Sequence, residues 1–380
     1  MFHQLADLLT GFWGPFRLLG SYLVLIGFGT AAAALTVGIM LPRLWHLLPA
    51  DRGRSHAVHA GKAKGKPTGG GLLVCLLTLP WLLLVLPLSP ELWAIVACLT
   101  ACMLTGYLDD RSQRPWGEYL KGSLDLGVAL ITALILSQGR DMPVWMPLIK
   151  DQFSLPPWAF IPMATAVLWL CINATNCSDG VDGLAGTLTM LSLFYLGGFL
   201  YVVIGHLEMA QYLLVPHNAQ GADWALLVFT AAGGLAGYLW YNAEPSVILM
   251  GDAGSRYLGL LLGVAVLAAS NPFLVLVVAP VVLVNGGTGL FKIVLLRGLR
   301  RFGLDIRPPA QRQADGDGAG PLPPVRRHQH LIDLLHRVRF PLHDHVRHRL
   351  NWSNPQVLLR FVLIQAFLTP LLFVLLVKLR

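Results

Sequence analysis

Apolar residues form ten long runs along this chain, and short polar gaps separate them. A run of about 20 apolar residues is long enough to cross the hydrocarbon core of a bilayer as an α-helix. The pattern therefore predicts an all-α integral membrane protein, a bundle of about ten transmembrane helices. The predicted spans are 19–42, 71–90, 92–108, 124–138, 157–173, 185–205, 223–241, 256–270, 272–296 and 357–378.

Proline and polar residues predict how these spans connect. Residues 87–90 and 270–272 combine Pro with Ser or Asn, which predicts two tight hairpins because proline cannot continue a helix. The long polar gap at 297–356 contains a stretch at 308–324 that is rich in Pro, Gly and Asp and predicts a flexible linker. We interpret residues 1–380 as one polytopic membrane domain.

Composition and charge agree with a membrane protein. The chain is 55% hydrophobic and only 13% charged, a balance that soluble domains do not reach. Its net charge of +8 could indicate a nucleic-acid partner, but the Lys and Arg residues cluster in the gaps at 43–66, 111–121 and 297–349. Such clusters mark cytoplasmic loops, so we predict no nucleic-acid binding and place both termini outside.

Five aspartates lie at the ends of predicted spans, where an acidic residue is expensive and calls for an explanation. Asp109 and Asp110 end the third span, Asp179 and Asp182 lie in an Asn-rich segment, and Asp252 precedes the eighth span. The predicted topology puts all five on the cytoplasmic side. For any single Asp, a helix cap or a surface position is the better explanation. Five acids in three Gly- and Asn-rich segments on one face favour a functional site.

Carboxylates gathered in this way suit a hard divalent cation such as Mg²⁺, which binds one or two carboxylates together with substrate phosphate oxygens. The implied substrate carries a diphosphate. Lys64, Lys66 and Lys121 lie on the same face and can neutralise phosphate charge, although the bias towards positive cytoplasmic loops explains each lysine equally well. The glycines at 69–71 after Thr68 permit close approach of the backbone to a ligand, or only form a hinge.

Histidines are dense near the C-terminus. They fit a transition-metal site, a phosphate-binding set or the solvated face of a helix, and a structural zinc site ranks lowest because cysteines and acids at zinc spacing are missing. Residues 343–345, which follow Pro341, are the most site-like part. The histidines are His328, His330, His336, His343, His345 and His348.

Together these segments resemble the polyprenyl-phosphate N-acetylhexosamine-1-phosphate transferases, from about residue 43 to the C-terminus. The segments that match the motifs of this family are 67–71, 108–110, 173–186 and 250–255. Residues 341–345 and 351–361 are similar to the histidine loop and the start of the last helix in the muramoyl-pentapeptide branch of the family. The combination is highly specific, whereas each segment alone would be ordinary.

The resemblance implies transfer of phospho-N-acetylmuramoyl-pentapeptide from its UDP carrier to undecaprenyl phosphate, which forms lipid I and UMP in peptidoglycan synthesis. It further implies dependence on Mg²⁺, ten spans among membrane lipids of the bacterial inner membrane, a site that faces the cytoplasm, and a homodimer. In the implied site Asp252 binds the metal, while Asp109 and Asp110 lie beside the attacking lipid phosphate. We favour direct attack of that phosphate on phosphorus, with a covalent route through an Asp nucleophile as the alternative.

The resemblance also assigns a substrate-binding set and a histidine pair. His343 and His345 are expected near the phosphates or the sugar as part of the catalytic set. The residues expected to bind substrate are Lys64, Thr68, Lys121, Asn176, Asp179 and Asp182.

This chain departs from the usual family pattern at several positions. Asp344 stands where the middle histidine of the loop is usual, and Leu249 stands where an aromatic residue precedes the Met-Gly-Asp motif. Asn285, Thr288 and Lys292 look like the positions of a Glu, a Ser and a Gln. Lys66 replaces the usual Thr of the first loop.

Three other functions compete with this interpretation. A sibling enzyme that transfers N-acetylglucosamine 1-phosphate would share the acidic segments, but the segment after Pro341 argues against it. A transporter or metal-binding membrane protein predicts acids in the middle of spans, whereas these lie at span ends. A degenerate, non-catalytic scaffold is least favoured, because the five aspartates are intact.

Overall fold

A computed structural model of the chain is almost entirely helical. It describes residues 2, 6, 8, 10–53, 64–114, 116–146, 153–302, 306, 332–333 and 335–378. The predicted linker at 308–324 lies outside the described residues, as do His328 and His330.

The described part of the chain has eleven principal helices, and the all-α membrane bundle is confirmed. Ten of these helices overlap the ten predicted spans, whereas the helix at Leu342–Arg349 lies in the predicted polar gap at 297–356. The eleven helices are α1 Tyr22–Leu44, α2 Gly70–Val85, α3 Pro90–Arg111, α4 Glu118–Ser137, α5 Pro157–Ser178, α6 Leu184–Phe199, α7 Gly221–Asn242, α8 Gly251–Ala268, α9 Thr288–Arg301, α10 Leu342–Arg349 and α11 Asn354–Lys378. Shorter helical segments are Gly14–Gly20, Trp45–Leu47, Leu200–Ile204, Leu207–Tyr212, Leu274–Val278, Pro280–Val282 and Leu283–Gly287. Two strands, β1 Met142–Val144 and β2 Phe153–Leu155, form an antiparallel pair that the sequence did not predict.

Fewer helices than predicted have the length and composition of a membrane span. Within the described part of the chain, 8 helices are long and apolar enough to cross a membrane, with Leu184–Ile204 and Pro280–Arg301 each taken as one continuous helix. The helix α2 is shorter, with 16 residues, and α8 is buried along its whole length of 18 residues. The expectation of ten spans therefore stays a prediction.

Helix ends lie where proline with neighbouring Ser or Asn residues predicts them. The helix α2 ends at Val85 and α3 begins at Pro90, while α8 ends at Ala268 and the next helical segment begins at Leu274. Both predicted hairpins are confirmed.

The ninth apolar run is broken, although the sequence predicted one continuous span at 272–296. A first piece ends at Val278, and the chain turns at Ala279, which has φ −132° and ψ 41°. Pro280 starts the next piece because it cannot donate a hydrogen bond to the preceding turn. A π-helical turn at Leu283–Gly287 then leads into α9, so the run is kinked at identifiable residues.

The helix α8 is the centre of the bundle and contacts α2, α3, α5, α6 and α7. Glycines allow the closest of these contacts. A Cβ atom added at Gly71 would lie 2.1 Å from the Cα atom of Gly254, and one added at Gly106 would lie 2.3 Å from the carbonyl oxygen of Asp252. The first turn of α8 is therefore packed directly against the backbones of α2 and α3, as small residues permit between membrane helices.

Candidate active site

A cavity of about 750 Å³ opens where α3, α4, α5 and α8 meet at one end of the bundle. The cavity brings together residues from all four segments that match the family motifs, at 67–71, 108–110, 173–186 and 250–255, so their predicted clustering is observed in part. The predicted site residues that line it are Thr68, Asp109, Asp110, Lys121, Asn176 and Asp252.

The Lys121 side chain lies between two of the aspartates. Its ammonium nitrogen Nζ contacts Asp109 Oδ2 and lies 3.0 Å from Asp252 Oδ2. The other oxygen of Asp109 accepts a hydrogen bond of 2.8 Å from the backbone N–H of Trp116. Two carboxylates from α3 and α8 thus converge on a single cation, whose side chain is 26% exposed towards the cavity.

Asp110 fixes the start of α8 from the neighbouring helix. Its two carboxylate oxygens accept hydrogen bonds from the backbone N–H groups of Asp252 and Ala253, each at 3.0 Å. These donors belong to the first turn of α8, which has no intrahelical acceptors for them and attracts negative charge. Gly251 has φ +71°, and a Cβ atom there would lie 2.3 Å from Asp110 Oδ2, so only glycine fits.

Two charged residues of the cavity wall were missed by the sequence prediction. Arg256 donates from Nη2 to Asp252 Oδ2 and from Nη1 to Asp125 Oδ1, with both distances 3.3 Å. Asp125 follows Lys121 by four residues, and Arg256 follows Asp252 by four. This spacing puts each pair on one helix face, which was the signal available in the sequence.

Further cations and an apolar wall line the rest of the cavity. Arg52 donates to the carbonyl oxygen of Gln113 at 2.7 Å. Arg297 of α9 pairs with Glu118 at 2.5 Å, and its guanidinium lies 5.3 Å from the ring centroid of Tyr119. The apolar residues that α9 contributes are Leu290, Ile293 and Val294. The cavity can therefore accept a ligand that has both negative charge and an apolar part.

Several predicted site residues do not line this cavity. Asp182 lies 3.8 Å from Lys66 and accepts a hydrogen bond of 3.2 Å from the backbone of Ser246. Asp179 ends α5, and Lys64 is exposed. Of the two first-loop lysines that the structure describes, Lys64 and Lys66, it is thus Lys66 that contacts a predicted site residue.

His343 belongs to a second cluster, beside the loop that joins α5 and α6. Its backbone N–H and its Nδ1 atom lie 2.9 and 3.1 Å from Asn285 Oδ1. A Cβ atom added at Gly180 would lie 2.2 Å from His343 Nε2, so the imidazole packs directly on that glycine. Arg347 lies 3.4 Å from Asp344 and donates to the Gly180 carbonyl at 3.5 Å. The cluster fixes this loop against α10.

His345 is not buried with its neighbour. Its Nδ1 atom accepts a hydrogen bond of 3.3 Å from the backbone N–H of Arg339. Neither His343 nor His345 lines the cavity. The two histidines therefore stand apart from Asp109, Asp110 and Asp252, the predicted acidic residues that line the cavity.

Burial lowers the pKa of His343 to about 4, and the positive charge of Arg347 lowers it as well, while Asp344 opposes the shift. Desolvation is the largest cause because the imidazolium would lose its hydration in this position. The His343 side chain is therefore neutral near pH 7.

The acidic cluster fits a divalent cation. Within the described residues no group of three or more His, Cys, Asp or Glu side chains is close enough to hold a metal ion by itself. Mg²⁺ does not need such a cage, because it takes one or two carboxylates and completes its coordination with phosphate oxygens and water. Asp109 and Asp252 already converge on one cation, the Lys121 ammonium. Asp252 and Asp109 are therefore the residues that would hold the metal.

We predict that the pKa of His343 makes the folded protein less stable in acid. In the unfolded state the His343 imidazole binds a proton below pH 6.5, whereas in the folded state it stays neutral down to about pH 4. The stability that the neutral imidazole contributes is complete above pH 6.5 and falls by at most about 1.4 kcal/mol for each pH unit below it. Melting temperatures in detergent at pH 4.5 to 7.5 should fall more steeply for the unmodified protein than for His343→Gln.

His348, which is exposed on the same helix, provides the control. His348→Gln should keep the pH dependence of the unmodified protein. Parallel melting curves for all three proteins would contradict the assignment of the shift to His343.

Known proteins resemble this chain over most of its length. A model of the family described as glycosyl transferase family 4 matches residues 92–270. A phospho-N-acetylmuramoyl-pentapeptide-transferase of Treponema pallidum is 44% identical over 374 residues, which cover 97% of this chain and 94% of the relative. Proteins of the same name from Gemmatimonas aurantiaca and Ruegeria pomeroyi are 30% and 29% identical, over 80% and 94% of this chain and 79% and 93% of the relatives. The chain belongs to the family of phospho-N-acetylmuramoyl-pentapeptide-transferases.

Proposed function

We propose that this protein transfers phospho-N-acetylmuramoyl-pentapeptide from its UDP carrier to undecaprenyl phosphate, forming lipid I and UMP in peptidoglycan synthesis. The observation that carries the proposal is the convergence of Asp109, Asp110, Asp252 and Lys121 in one cavity of a membrane bundle. The family of the chain and the names of its relatives support the choice of the muramoyl-pentapeptide donor. The apolar wall from α9 suits a lipid acceptor.

Mg²⁺ is the metal that we propose for this site, held by Asp252 with Asp109. When bound, it neutralises charge on the diphosphate and on the transferred phosphoryl group. The donor set supports this choice, since hard carboxylate oxygens are the ligands that Mg²⁺ prefers.

The reaction needs alignment and charge neutralisation more than it needs a base. A phosphate monoester is already mostly ionised near neutral pH, since its second pKa is about 6. Lys121 can leave its carboxylate partners to neutralise an incoming phosphate, and Asn176 and Thr68 line the same cavity as further hydrogen-bond partners. We therefore favour direct attack of the lipid phosphate on the sugar-linked phosphorus.

A covalent intermediate on Asp110 is less well supported. Both of its oxygens accept hydrogen bonds from the first turn of α8, and these bonds would be lost if one oxygen attacked phosphorus. We assign Asp110 to the positioning of α8 and so of Asp252.

We place the protein in the bacterial inner membrane, with the cavity facing the cytoplasm. The apolar helices support a multi-pass arrangement, and positive charges in the loops support this orientation. The homodimer that the family resemblance implies stays a prediction, for which crosslinking in membranes is the direct measurement.

We predict release of UMP by the purified protein when undecaprenyl phosphate, Mg²⁺ and UDP-N-acetylmuramoyl-pentapeptide are supplied together. UDP-N-acetylglucosamine should give no turnover, because its sugar belongs to the sibling branch. If only UDP-N-acetylglucosamine is turned over, the protein belongs to that branch. If neither donor gives UMP, a non-catalytic scaffold is favoured.

We predict that Asp252→Asn lowers kcat by about 100-fold or more and leaves the protein folded in detergent. The reason is loss of a metal-binding carboxylate, which contributes several kcal/mol of transition-state stabilisation. Asp223→Asn is the matched control, since Asp223 pairs with Tyr22 at 2.9 Å and does not line the cavity. Equal turnover by the two variants would contradict the assignment of Asp252 as a metal-binding residue.

Topology can be tested with a cysteine that the protein already has. Cys177 is partly exposed and lines the cavity, whereas the other four cysteines are buried. We predict that a membrane-impermeant thiol reagent labels Cys177 only from the cytoplasmic side and that the UDP-linked donor slows this reaction. A cysteine introduced by Glu208→Cys, in the 206–222 loop, should react only from outside. Labelling of both positions from the same side would overturn the predicted orientation.

A further inference from the structure

Two charged side chains in the wall of the cavity are buried as completely as the apolar core. Arg256 is 0% exposed and Asp125 is 1% exposed, and both line the cavity. A buried ion is costly unless a charge of opposite sign compensates it. Since neither residue has a role in the proposed function so far, their placement needs a separate explanation.

Four alternating charges connect α4 to α8. Lys121 and Asp125 are one helical turn apart on α4, and Asp252 and Arg256 are one turn apart on α8. Lys121 lies 3.0 Å from Asp252 Oδ2, and Arg256 lies 3.3 Å from the same oxygen and 3.3 Å from Asp125. Asp252 is therefore held by two cations, one from each helix.

The two cationic side chains that hold Asp252 differ in how freely they can move. The Lys121 side chain is 26% exposed and carries its charge on a flexible stem, so an incoming phosphate can attract it away. The Arg256 side chain is 1% exposed, lies on a helix that is buried throughout and bridges two carboxylates with its planar fork. When Lys121 turns to the substrate, Arg256 still holds the Asp252 carboxylate.

The arrangement is not one that stability alone explains. The Nε atom of Arg256 is buried and has no hydrogen-bond partner within the part of the chain that the structure describes. A buried donor without an acceptor is destabilising, and buried ion pairs seldom stabilise a protein more than apolar residues of similar volume. A role in orienting Asp252 accounts for a feature that packing does not require.

We propose that Arg256 and Asp125 are positioning residues for Asp252. Arg256 fixes the orientation of the carboxylate, and Asp125 orients Arg256 and balances its charge. The inference rests on the proposed function, which assigns Mg²⁺ to Asp252. Partners of this kind behind a metal-binding carboxylate contribute about 10- to 100-fold to metal affinity or activity.

The decisive variant combines Arg256→Met with Asp125→Leu. It removes one charge of each sign, so the net charge is unchanged and neither buried ion is left without its partner. We expect Mn²⁺, used as a spectroscopic substitute for Mg²⁺, to bind about 10- to 100-fold more weakly, with kcat reduced by a similar factor. The KM for the UDP-linked donor and the melting temperature should stay close to those of the unmodified protein. A purely structural role predicts the reverse, a lower melting temperature with unchanged Mn²⁺ affinity.

Two further variants keep the experiment decisive. Asp125→Asn preserves the shape of the side chain and should weaken Mn²⁺ binding even if the double variant fails to fold. The control variant combines Gln365→Leu with Ser192→Ala. It removes a buried hydrogen bond of 3.1 Å between two residues that do not line the cavity, and it should change stability only.

The outcomes separate this inference from the function on which it rests. Unchanged Mn²⁺ affinity and kcat in the folded Arg256 and Asp125 variants would overturn the positioning role while leaving the metal assignment intact. Failure of the unmodified protein to bind Mn²⁺ would overturn the metal assignment and this inference together.

Discussion

The contact between Asp110 and the first turn of α8 is the interaction on which the rest of the site depends. A carboxylate at the end of α3 accepts two hydrogen bonds from the backbone N–H groups of this turn, and Gly251 gives it the space to do so. The same turn carries Asp252. Because Gly71 and Gly106 pack against this turn from two other helices, the position of Asp252 is set by backbone contacts on several sides. The main chain at Asp252 therefore has little freedom to move, and the charged side chains around Asp252 are arranged on a fixed backbone.

The sequence predicted the bundle well because hydrophobic length is a strong signal. Apolar runs located the helices, and prolines with neighbouring Ser or Asn residues located the hairpins at 87–90 and 270–272. The break at Ala279 and Pro280 could not be predicted from hydropathy, since a kinked segment needs the same apolar composition as a straight one. The β1–β2 pair has only three residues in each strand, too few to give a periodic pattern.

The candidate site was predicted in part, and the reason is geometric. Asp109, Asp110 and Asp252 were identified because acids at the ends of apolar runs are unusual. Asp125 and Arg256 carry the same signal one turn deeper, but their partnership depends on how two helices cross, which the sequence does not specify. His343 was grouped with the acids, whereas the fold sets it against Asn285 outside the cavity.

Three of the residues that depart from the family pattern make specific side-chain contacts in the fold. Asn285, found where the family usually has Glu, accepts hydrogen bonds from His343, and Asp344 pairs with Arg347. Lys66 likewise pairs with Asp182. Each of these three residues thus has a partner in the folded chain, as expected when polar groups are buried or half-buried. These substitutions change side-chain contacts near the cavity and leave the acidic residues that line it in place.

The pairing of Arg256 with Asp125 also constrains how this protein can change over generations. Loss of Arg256 alone leaves Asp125 buried without its counter-ion, a state that is strongly destabilising, whereas loss of Asp125 alone leaves Arg256 paired with Asp252. A lineage can therefore keep both residues or exchange both for apolar ones, but it passes through a poorly folded intermediate if Arg256 is lost first. Positions 125 and 256 are expected to vary together among relatives, and the loss of Arg256 should be tolerated only when position 125 also becomes uncharged.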